Sequence, residues 1–385
     1  MNSINDIFNY TKRFIFIPFV MFLIFSCSQQ DSDVSISTIE VDVTSNAKLK
    51  LSDFFENFKM VSLQSDSVMA EIKRIRFDNN RIYISDVMNT MFVFSDSGSL
   101  LSYFDHRGGG PREYIGITDF VVDGDTITVL CRTSKRLLKY NISGEFLSEQ
   151  KLEYYALAIS PTVNDYNFLY CGYENAGNNS KLHRVRSGLP DSSYLFFDRN
   201  EANYMHNRYK DNFFQNKETI YFFELFNNIV YNSVDGGEIK PAYRIDYKDK
   251  TIPEDFFKRK FNNVMEFSEE YNKTSYAHGV YSFVEFDRFL MFGSSYLKKI
   301  KLSIFDRRES VSYTYSDIID DVYLPGAVFP ALLSYQADKH LFFKIDAYQV
   351  VEWRSMYFPA ERFKEIVDAT KEDDNPLLLV FDFKQ

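Results

Sequence analysis

The sequence predicts an all-β protein, a six-bladed β-propeller built from four-stranded antiparallel blades. Three observations lead to this fold. Aromatic residues make up 17% of the chain, with 39 Phe and 27 Tyr, and such residues favour half-buried, pleated strands. One short unit of sequence recurs along the chain, and recurrence at a fixed period is typical of repeat architectures. Asn, Asp and Gly dominate the turns inside that unit, as tight hairpins require.

The recurring unit is a short apolar strand, a tight polar turn and a second strand of alternating aromatic and aliphatic residues. Its six copies start at Ile75, Phe120, Pro161, Phe213, Ser282 and Leu333, for example "IRFDNNRIYISD" and "FVVDGDTITVLC". Most copies are followed by a second hairpin, as in "MFVFSDSGSLLSYF" from Met91. Two hairpins make a four-stranded meander of roughly 40–50 residues, the length of a propeller blade. The third copy loses this pattern after Gly172.

Other segments complete the predicted fold. Residues 253–271, "PEDFFKRKFNNVMEFSEEY", and residues 359–376, "PAERFKEIVDATKEDDNP", space their apolar residues helically and predict two short helical insertions. "LLLVFDF" from Leu377 is a last strand. "FKMVSLQSD" from Phe58 is an early strand without a hairpin partner. We expect it to close the ring as the outermost strand of the last blade, which would remove a free sheet edge.

The N-terminus predicts export and lipidation. Lys12 and Arg13 precede the apolar run "FIFIPFVMFLIF", which is too short to span a membrane comfortably and is typical of a signal peptide. The following "IFSC" resembles a bacterial lipobox, so residues 1–26 would be removed and Cys27 lipidated. The alternative is an ordinary secreted protein with an incidental Cys27. Residues 27–48 are polar and acidic and predict a flexible tether, which leaves residues 49–385 for the propeller.

The charge and cysteine content exclude several classes of function. The formal net charge is −10, and removal of Lys12, Arg13 and Asp6 with the signal would make it −11. This balance argues against nucleic acid as a partner. Cys131 and Cys171 lie in apolar runs and are expected to be buried free thiols, with a disulfide as the alternative. No Cys or His spacing suggests a metal site, and no motif suggests a cofactor.

Taken together, these segments resemble the six-bladed β-propeller lipoproteins of Bacteroidetes, which are related in shape to the NHL and TolB-like propellers. The resemblance extends from about Leu49 to the C-terminus and rests on "GGGPREY" ahead of "DFVVDGDTITV", on the helix before "YAHGVYSFVEFDRFLMF" and on "EDDNPLLLVFDF". The family more often has a second glycine after the proline, where this chain has Arg112. The resemblance implies the fold and a lipid-anchored place in the cell envelope, with Asp31 and Asp33 favouring the outer membrane. Fold alone does not imply function.

We expect a binding site on the face that carries the longest loops, around the mouth of the central channel, because function often lies on variable loops over a rigid scaffold. The loops of the first two blades place five cations there: Arg107, Arg112, Arg132, Lys135 and Arg136. Such a group could bind a carboxylate, sulfate or phosphate. The alternative is a solvated rim in which Glu113 and Asp105 pair with these cations. His106 and His278 also fall in predicted connecting loops and could line a site, although solvated loop histidines are common.

The loop "FDHRGGGPREY", residues 104–114, is not a nucleotide-binding loop, because it lacks "GK[ST]" and no helix follows it. We expect it to cross from the first blade to the second. Gly108, Gly109 and Gly110 would supply positive φ angles, Pro111 would fix a turn and Tyr114 would pack between blades. "DGDT" at residues 123–126 lacks the remaining ligands of a calcium motif and is expected to be a hairpin turn.

The sequence contains no "GxSxG" motif and no recognisable catalytic pair. It therefore favours a non-catalytic binding module for a glycan, a peptide or a partner protein, anchored in the envelope by lipid on Cys27. Two alternatives stay open. One is a hydrolase or lyase that works in the channel mouth, since propeller enzymes assemble their sites from separate blades. The other is a scaffold within an outer-membrane complex.

Overall fold

The structure is a computed structural model that describes residues 36–384, apart from residues 66, 68, 175–178, 187–188, 199–200, 206–210, 331–333 and 338–339. The predicted signal peptide, Cys27 and the first part of the predicted tether lie outside the described residues. Within the described part, no helix is long and apolar enough to cross a membrane.

The described chain begins with two short strands and a helical turn. They are β1 (Ser37–Glu40), β2 (Ala47–Lys50) and α1 (Leu51–Phe54), followed by β3 (Phe55–Ser62). Strands β1 and β2 run parallel to the last strands of the fourth and fifth blades, with Ser37 opposite Tyr243 and Leu49 opposite Ile318. Ile39, Val41, Val43 and Leu49 are buried. The second half of the predicted tether is therefore part of the folded sheet system.

The first three blades follow the predicted hairpin pattern, each as one four-stranded sheet. Blade one contains β4 (Ile72–Asp78), β5 (Arg81–Asp86), β6 (Met91–Ser95) and β7 (Leu100–Phe104). Blade two contains β8 (Asp119–Asp123), β9 (Thr126–Cys131), β10 (Arg136–Asn141) and β11 (Phe146–Lys151). Blade three contains β12 (Ala158–Ile159), β13 (Tyr166–Tyr170), β14 (Ser180–Arg186) and β15 (Leu189–Phe196), so it keeps its outer strands although its sequence pattern is weak.

Blades four and five are widened by the N-terminal strands. Blade four contains β16 (Phe213–Asn216), β17 (Thr219–Phe222), β18 (Ile229–Val234) and β19 (Lys240–Asp246). Helices α2 (Glu254–Phe257) and α3 (Val264–Asn272) follow it. Blade five contains β20 (Ala277–Glu285), β21 (Phe289–Tyr296), β22 (Lys299–Asp306) and β23 (Val311–Ile319), and β24 (Val328–Pro330) pairs with β23.

Blade six closes the ring. It contains β25 (Ser334–Ala337), β26 (His340–Ile345), the helices α4 (Ala347–Arg354) and α5 (Glu361–Ala369), and β27 (Leu377–Phe383). Its outermost strand is β3, which pairs antiparallel to β27 with Met60 opposite Leu379. The predicted closure by the early strand is confirmed. Phe55 packs on Phe381 and Phe383 with ring centroids 4.8 and 4.9 Å away, so aromatic packing accompanies the backbone pairing across the closure.

The predicted helices are present with different bounds. The first insertion is split into α2 and α3, and α3 begins where the Asn263 side chain accepts hydrogen bonds of 3.0 Å from the backbone N–H groups of Met265 and Glu266. Helix α5 lies within the second predicted helix. Helix α4 was not predicted, although the backbone N–H of Asp346 donates to Oε1 of Gln349 at 3.2 Å, a hydrogen bond typical of a helix start.

The strand order defines two faces of the ring. The first strand of each blade is innermost, and the first strands of most neighbouring blades contact one another. Because strands alternate in direction, the first-to-second and third-to-fourth turns lie on one face, which we call the turn face. The second-to-third loops and the blade-to-blade crossings lie on the other, the connection face. Cys131 and Cys171 lie inside blades two and three as buried free thiols.

Candidate functional site

The loop of residues 104–114 folds on itself at the crossing from blade one to blade two. The backbone N–H of Gly108 donates to the carbonyl of Tyr114 at 3.1 Å, and that of Tyr114 donates to the carbonyl of His106 at 3.0 Å. Glu113 Oε2 accepts from the backbone N–H of Gly110 at 2.8 Å. The Nε of Arg107 donates to both carboxylate oxygens of Asp105, at 2.8 and 2.9 Å, and this pairing lowers the pKa of Asp105.

The backbone of this loop corrects the expectation for its glycines. Gly108, Gly109 and Gly110 do not have positive φ angles, whereas Arg112 does, at 68°. A Cβ on Gly108 would lie 1.9 Å from Oε2 of Glu113. Because Gly108 has no Cβ, there is room for the Glu113 carboxylate, which accepts the hydrogen bond from Gly110. Arg112 adopts the left-handed conformation that favours glycine, so the backbone keeps the shape that a glycine would allow at that position.

Tyr114 lies buried between the first two blades. Its hydroxyl donates to the carbonyl of Asn89 at 3.0 Å and accepts from the backbone N–H of His106 at 3.1 Å. Burial raises the pKa of Tyr114 to about 12. The His106 ring stacks on Tyr140 with centroids 5.2 Å apart, and its Nε2 lies 2.7 Å from the carbonyl of Gly144. His106 is thus part of the packing between the blades.

The remaining cations on this face each have local partners. Arg136 donates to Glu149 at 3.0 Å and to the carbonyl of Glu113 at 2.8 Å. Arg132 forms an ion pair with Glu174. The guanidinium of Arg112 lies 5.6 Å from the ring centroid of Phe146, and the ammonium of Lys135 lies 4.2 Å from that of Tyr155. Arg132 also lies over the Tyr155 ring, at 5.8 Å, so it shares that ring with Lys135. Arg112 and Arg136 have separate partners, and the geometry is that of a rim with local contacts.

His278 is a packed residue beneath helix α3. Its Nδ1 lies 2.5 Å from the Tyr271 hydroxyl, and its ring stacks on Phe226 with centroids 4.2 Å apart. Burial lowers the pKa of His278 to about 4, so the ring is neutral at neutral pH. The insertion above it has its own apolar core, which includes Tyr204, Phe256 and Phe267. His278 therefore helps to fix this insertion to blades four and five.

A large cavity opens on the opposite side, at the turn face. Its volume is about 1240 Å³. Every blade contributes to its lining, through residues that include Arg76, Val122, Thr162, Gln215, Asp287 and His340. These residues lie at or beside the first-to-second turns, which surround the channel mouth. None of the six candidates predicted from the sequence lines this mouth cavity; they are Arg107, Arg112, Glu113, Arg132, Arg136 and His278.

A buried ion cluster lies in the channel next to this cavity. Arg74 and Arg76 of β4 approach Asp119 of β8, with Nε of Arg74 3.0 Å and Nη2 of Arg76 3.4 Å from Oδ1. Arg74 also forms an ion pair with Asp211, directly before blade four, and Nη1 of Arg76 lies 3.7 Å from the same carboxylate. Blades one and four are opposite each other in a six-bladed ring. The ion pair therefore crosses the channel and forms a floor for the mouth cavity.

Several charges of the cavity wall are paired within the chain. The Arg288 guanidinium donates to Asp306 at 2.5 and 2.9 Å and lowers the pKa of that carboxyl. Arg307 lies 2.5 Å from Glu285, whose pKa is raised by burial. His340 Nδ1 lies 2.5 Å from Asp382. The wall therefore contains several charges with little net preference for a cation or an anion.

Neutral polar groups and aromatic rings complete the lining. Asn57, Asn80, Gln215 and Asn216 provide amides, and Phe77, Phe213, Phe286, Phe289 and Phe383 provide rings. Within the described residues, no group of three or more His, Cys, Asp or Glu side chains could hold a metal ion. The arrangement suits recognition through hydrogen bonds in both directions beside apolar surface.

The sequence held one indication of this site. The inner strand "IKRIRFD" of blade one places Arg74 and Arg76 two residues apart, and alternate residues of a strand share one face. Two arginines on one face of a predicted core strand must find partners in the interior. Turn residues such as Asn80 and Asn216 could not be identified from the sequence as site residues, because hairpin turns favour asparagine for conformational reasons.

Comparison with known proteins places these features in a family. The family model described as "Domain of unknown function (DUF4934)" matches residues 35–382. A crystal structure of a protein described as "Putative exported protein", from Bacteroides fragilis, is similar with a TM-score of 0.72 and 18% identity, covering 91% of this chain and all of the other. A member of the DUF4221 family from Bacteroides vulgatus has a TM-score of 0.48 and 10% identity, covering 86% and 98%. Among curated proteins, none matches the chain in sequence.

Proposed function

We propose that this chain, which belongs to the DUF4934 family, is a non-catalytic binding module that holds a glycan in the mouth cavity of the turn face. A peptide or a partner protein would be the alternative occupants. The observation that carries the proposal is the mouth cavity itself, since it is lined from all six blades and has a floor of buried ion pairs. Its volume of about 1240 Å³ exceeds the roughly 300–1,000 Å³ of most small-ligand pockets. The space therefore suits a ligand of several units.

The charge pattern of the wall favours a neutral ligand. Arg288 and Arg307 each lie against a carboxylate of this chain, at 2.5 Å in both cases. A charged ligand would have to compete with these internal pairs, and rearranging a paired charge at a partly buried site is costly. A neutral ligand can instead accept and donate hydrogen bonds at the edges of the pairs.

The amide side chains and aromatic rings of the lining favour a ligand that carries hydroxyl groups on an apolar carbon ring, as a sugar does. An amide side chain both donates and accepts hydrogen bonds, as a hydroxyl group does. Gln215 Nε2 donates to the carbonyl of Lys217 at 2.8 Å, which fixes the orientation of an amide that belongs to the cavity lining. Phe rings beside such groups can pack against the apolar faces of sugar rings.

We place this module in the cell envelope, held by lipid on Cys27 in the outer membrane. The support is the signal-like N-terminus with "IFSC" and the description of the Bacteroides fragilis protein as exported. The wider relationship to NHL and TolB-like propellers stays a prediction from sequence resemblance. Lipid attachment would be tested by metabolic labelling with a fatty-acid analogue, which Cys27→Ser should abolish.

A glycan array followed by calorimetry with the purified protein tests the proposed ligand. We expect a neutral oligosaccharide to bind, and the pair Gln215→Ala with Asn216→Ala to weaken binding by about tenfold or more, equivalent to about 1.4 kcal/mol. The pair Arg107→Ala with Arg112→Ala is the matched control, because both lie on the connection face. If peptides bind and glycans do not, the ligand of the cavity is a peptide. Loss of binding in the control but not in the cavity variant would refute the site.

A hydrolase or lyase at the same mouth is a second candidate, favoured by the pair of His340 and Asp382. A carboxylate that holds Nδ1 of a histidine orients the other ring nitrogen, as in general-base catalysis. Asn57 Nδ2 also donates to Asp382 at 3.0 Å. Turnover of a bound oligosaccharide that is lost in both His340→Gln and Asp382→Asn would favour the enzyme over the binding module.

A further inference from the structure

The connection face concentrates the exposed apolar surface of the molecule. Among the described residues, eighteen large apolar side chains are strongly exposed. Ten of them lie on the loops, crossings and helices of the connection face, and they include Met88, Ile115, Tyr155, Met265, Met356 and Phe358. On the turn face the corresponding residues are Val234 and Val311, which flank third-to-fourth turns. Scattered exposed apolar residues are normal, but a marked excess on one face is typical of an interaction surface.

One part of this surface is apolar and acidic. We define the acidic patch as residues 347–375, which form α4, α5 and their connecting loops. Phe358 is 91% exposed and Met356 55% exposed in the loop between the helices. The segment contains seven carboxylates against four basic side chains, and all seven carboxylates are exposed. An anionic membrane or nucleic acid would be repelled by this patch.

Another part of the same face is apolar and basic. We define the basic patch as residues 105–115 and 132–136, which contain five basic side chains against two acidic ones. Arg112 and Lys135 form no ion pair among the described residues, and Ile115 is half exposed beside them. Tyr155, under Lys135, extends the patch. Arg107, Arg132 and Arg136 are paired with carboxylates, so the positive charge that the basic patch offers to a partner is that of Arg112 and Lys135. The acidic patch has an excess of three carboxylates.

We propose that the connection face is the interface of a two-fold symmetric homodimer, in which the acidic patch of one copy packs on the basic patch of the other. In a two-fold symmetric dimer every contact occurs twice. The acidic patch of each copy can therefore pack on the basic patch of the other copy at the same time. Phe358 is the central anchor, because buried aromatic residues dominate the binding energy of interfaces. The mouth cavities of both copies then point outward and stay open to ligand.

Analytical ultracentrifugation of the purified protein tests the dimer. We expect a concentration-dependent dimer whose dissociation constant rises about 30-fold or more in Phe358→Ser with Met356→Ser. Both side chains are exposed, so the fold should be retained, and thermal melting checks this. Val234→Ser, which is on the turn face, is the matched control and should dimerise as the wild type does.

A charge exchange tests the pairing of the two patches. Lys135→Glu should weaken the dimer, and adding Glu365→Lys to the same chain should restore it at least in part, because the double variant again has opposite charges in the two patches. A protein that stays monomeric at about 100 μM overturns the proposal, since weaker contacts fall outside specific interfaces. A monomer that sediments with phosphatidylcholine vesicles, and loses this in Phe358→Ser, would overturn it in favour of a membrane contact.

Discussion

On the two faces of the propeller, polar side chains have different kinds of hydrogen-bond and ion-pair partners. On the connection face the loops are long, and their polar groups bond within the loop or to a neighbouring loop, as Arg107 does with Asp105 and Glu113 with Gly110. On the turn face the turns are short, and their amides and charges line a shared space. Long loops can fold back on themselves, whereas tight turns cannot. The polar side chains of the short turns therefore lie at the shared cavity even where they have internal partners, as Gln215 has in Lys217.

The largest effect should follow from the ion cluster that forms the cavity floor. Asp119 is buried and accepts hydrogen bonds from the backbone N–H groups of Phe120 and Ile159 in addition to its contact with Arg74. Asp119→Ala would leave the buried Arg74 with one carboxylate fewer, and breaking a buried pair in this way costs about 3–5 kcal/mol. Urea denaturation followed by the fluorescence of Trp353, the one tryptophan, measures this loss.

The matched control for this variant is an exposed ion pair on the connection face. Asp105→Ala removes the partner of the exposed Arg107 and should leave the urea midpoint unchanged, because exposed ion pairs contribute little. Equal losses in Asp105→Ala and Asp119→Ala would contradict the distinction between a self-contained surface loop and a structural cluster inside the channel.

An acid-dependent effect should come from the buried histidine of the connection face. The pKa of His278 is about 4 in the folded protein and 6.5 in an ordinary histidine. The unfolded chain therefore binds a proton that the folded chain excludes. Stability from this group is complete above pH 6.5 and falls as the pH is lowered towards 4, by about 3 kcal/mol in total.

Denaturation curves between pH 7 and pH 4 check this effect. His278→Gln should show a smaller loss of stability over that range than the wild type. Part of the loss will persist, because burial also lowers the pKa of His183 to about 4. Identical pH dependence in the wild type and His278→Gln would show that the ring is accessible to protons in the folded state, and the helical insertion would then not seal it.

The sequence was sufficient for elements whose information is local. Turn residues and alternating strands predicted the blades, and the unpaired "FKMVSLQSD" predicted the ring closure, which Met60 and Leu379 confirm. Strands β1 and β2 could not be predicted, because they are short and they extend blades that already have four strands of their own. The mouth cavity was missed for a different reason. It is assembled from single turn residues of six blades, and each of them is ordinary in its own hairpin.

The smallest effect should distinguish two neighbouring glycines of the crossing loop. A Cβ at Gly108 would displace the Glu113 carboxylate from its hydrogen bond with Gly110, whereas nothing lies within 4 Å of a Cβ at Gly109. Neither glycine has a positive φ angle, so backbone strain does not contribute. Gly108→Ala should cost about 1 kcal/mol, the net value of one hydrogen bond, and Gly109→Ala should cost nothing, since it also restricts the unfolded chain. Urea midpoints of the two variants compare them directly. Equal urea midpoints of the two variants would show that the hydrogen bonds of this loop do not hold its shape. The two faces would then differ only in that the turn face has the mouth cavity.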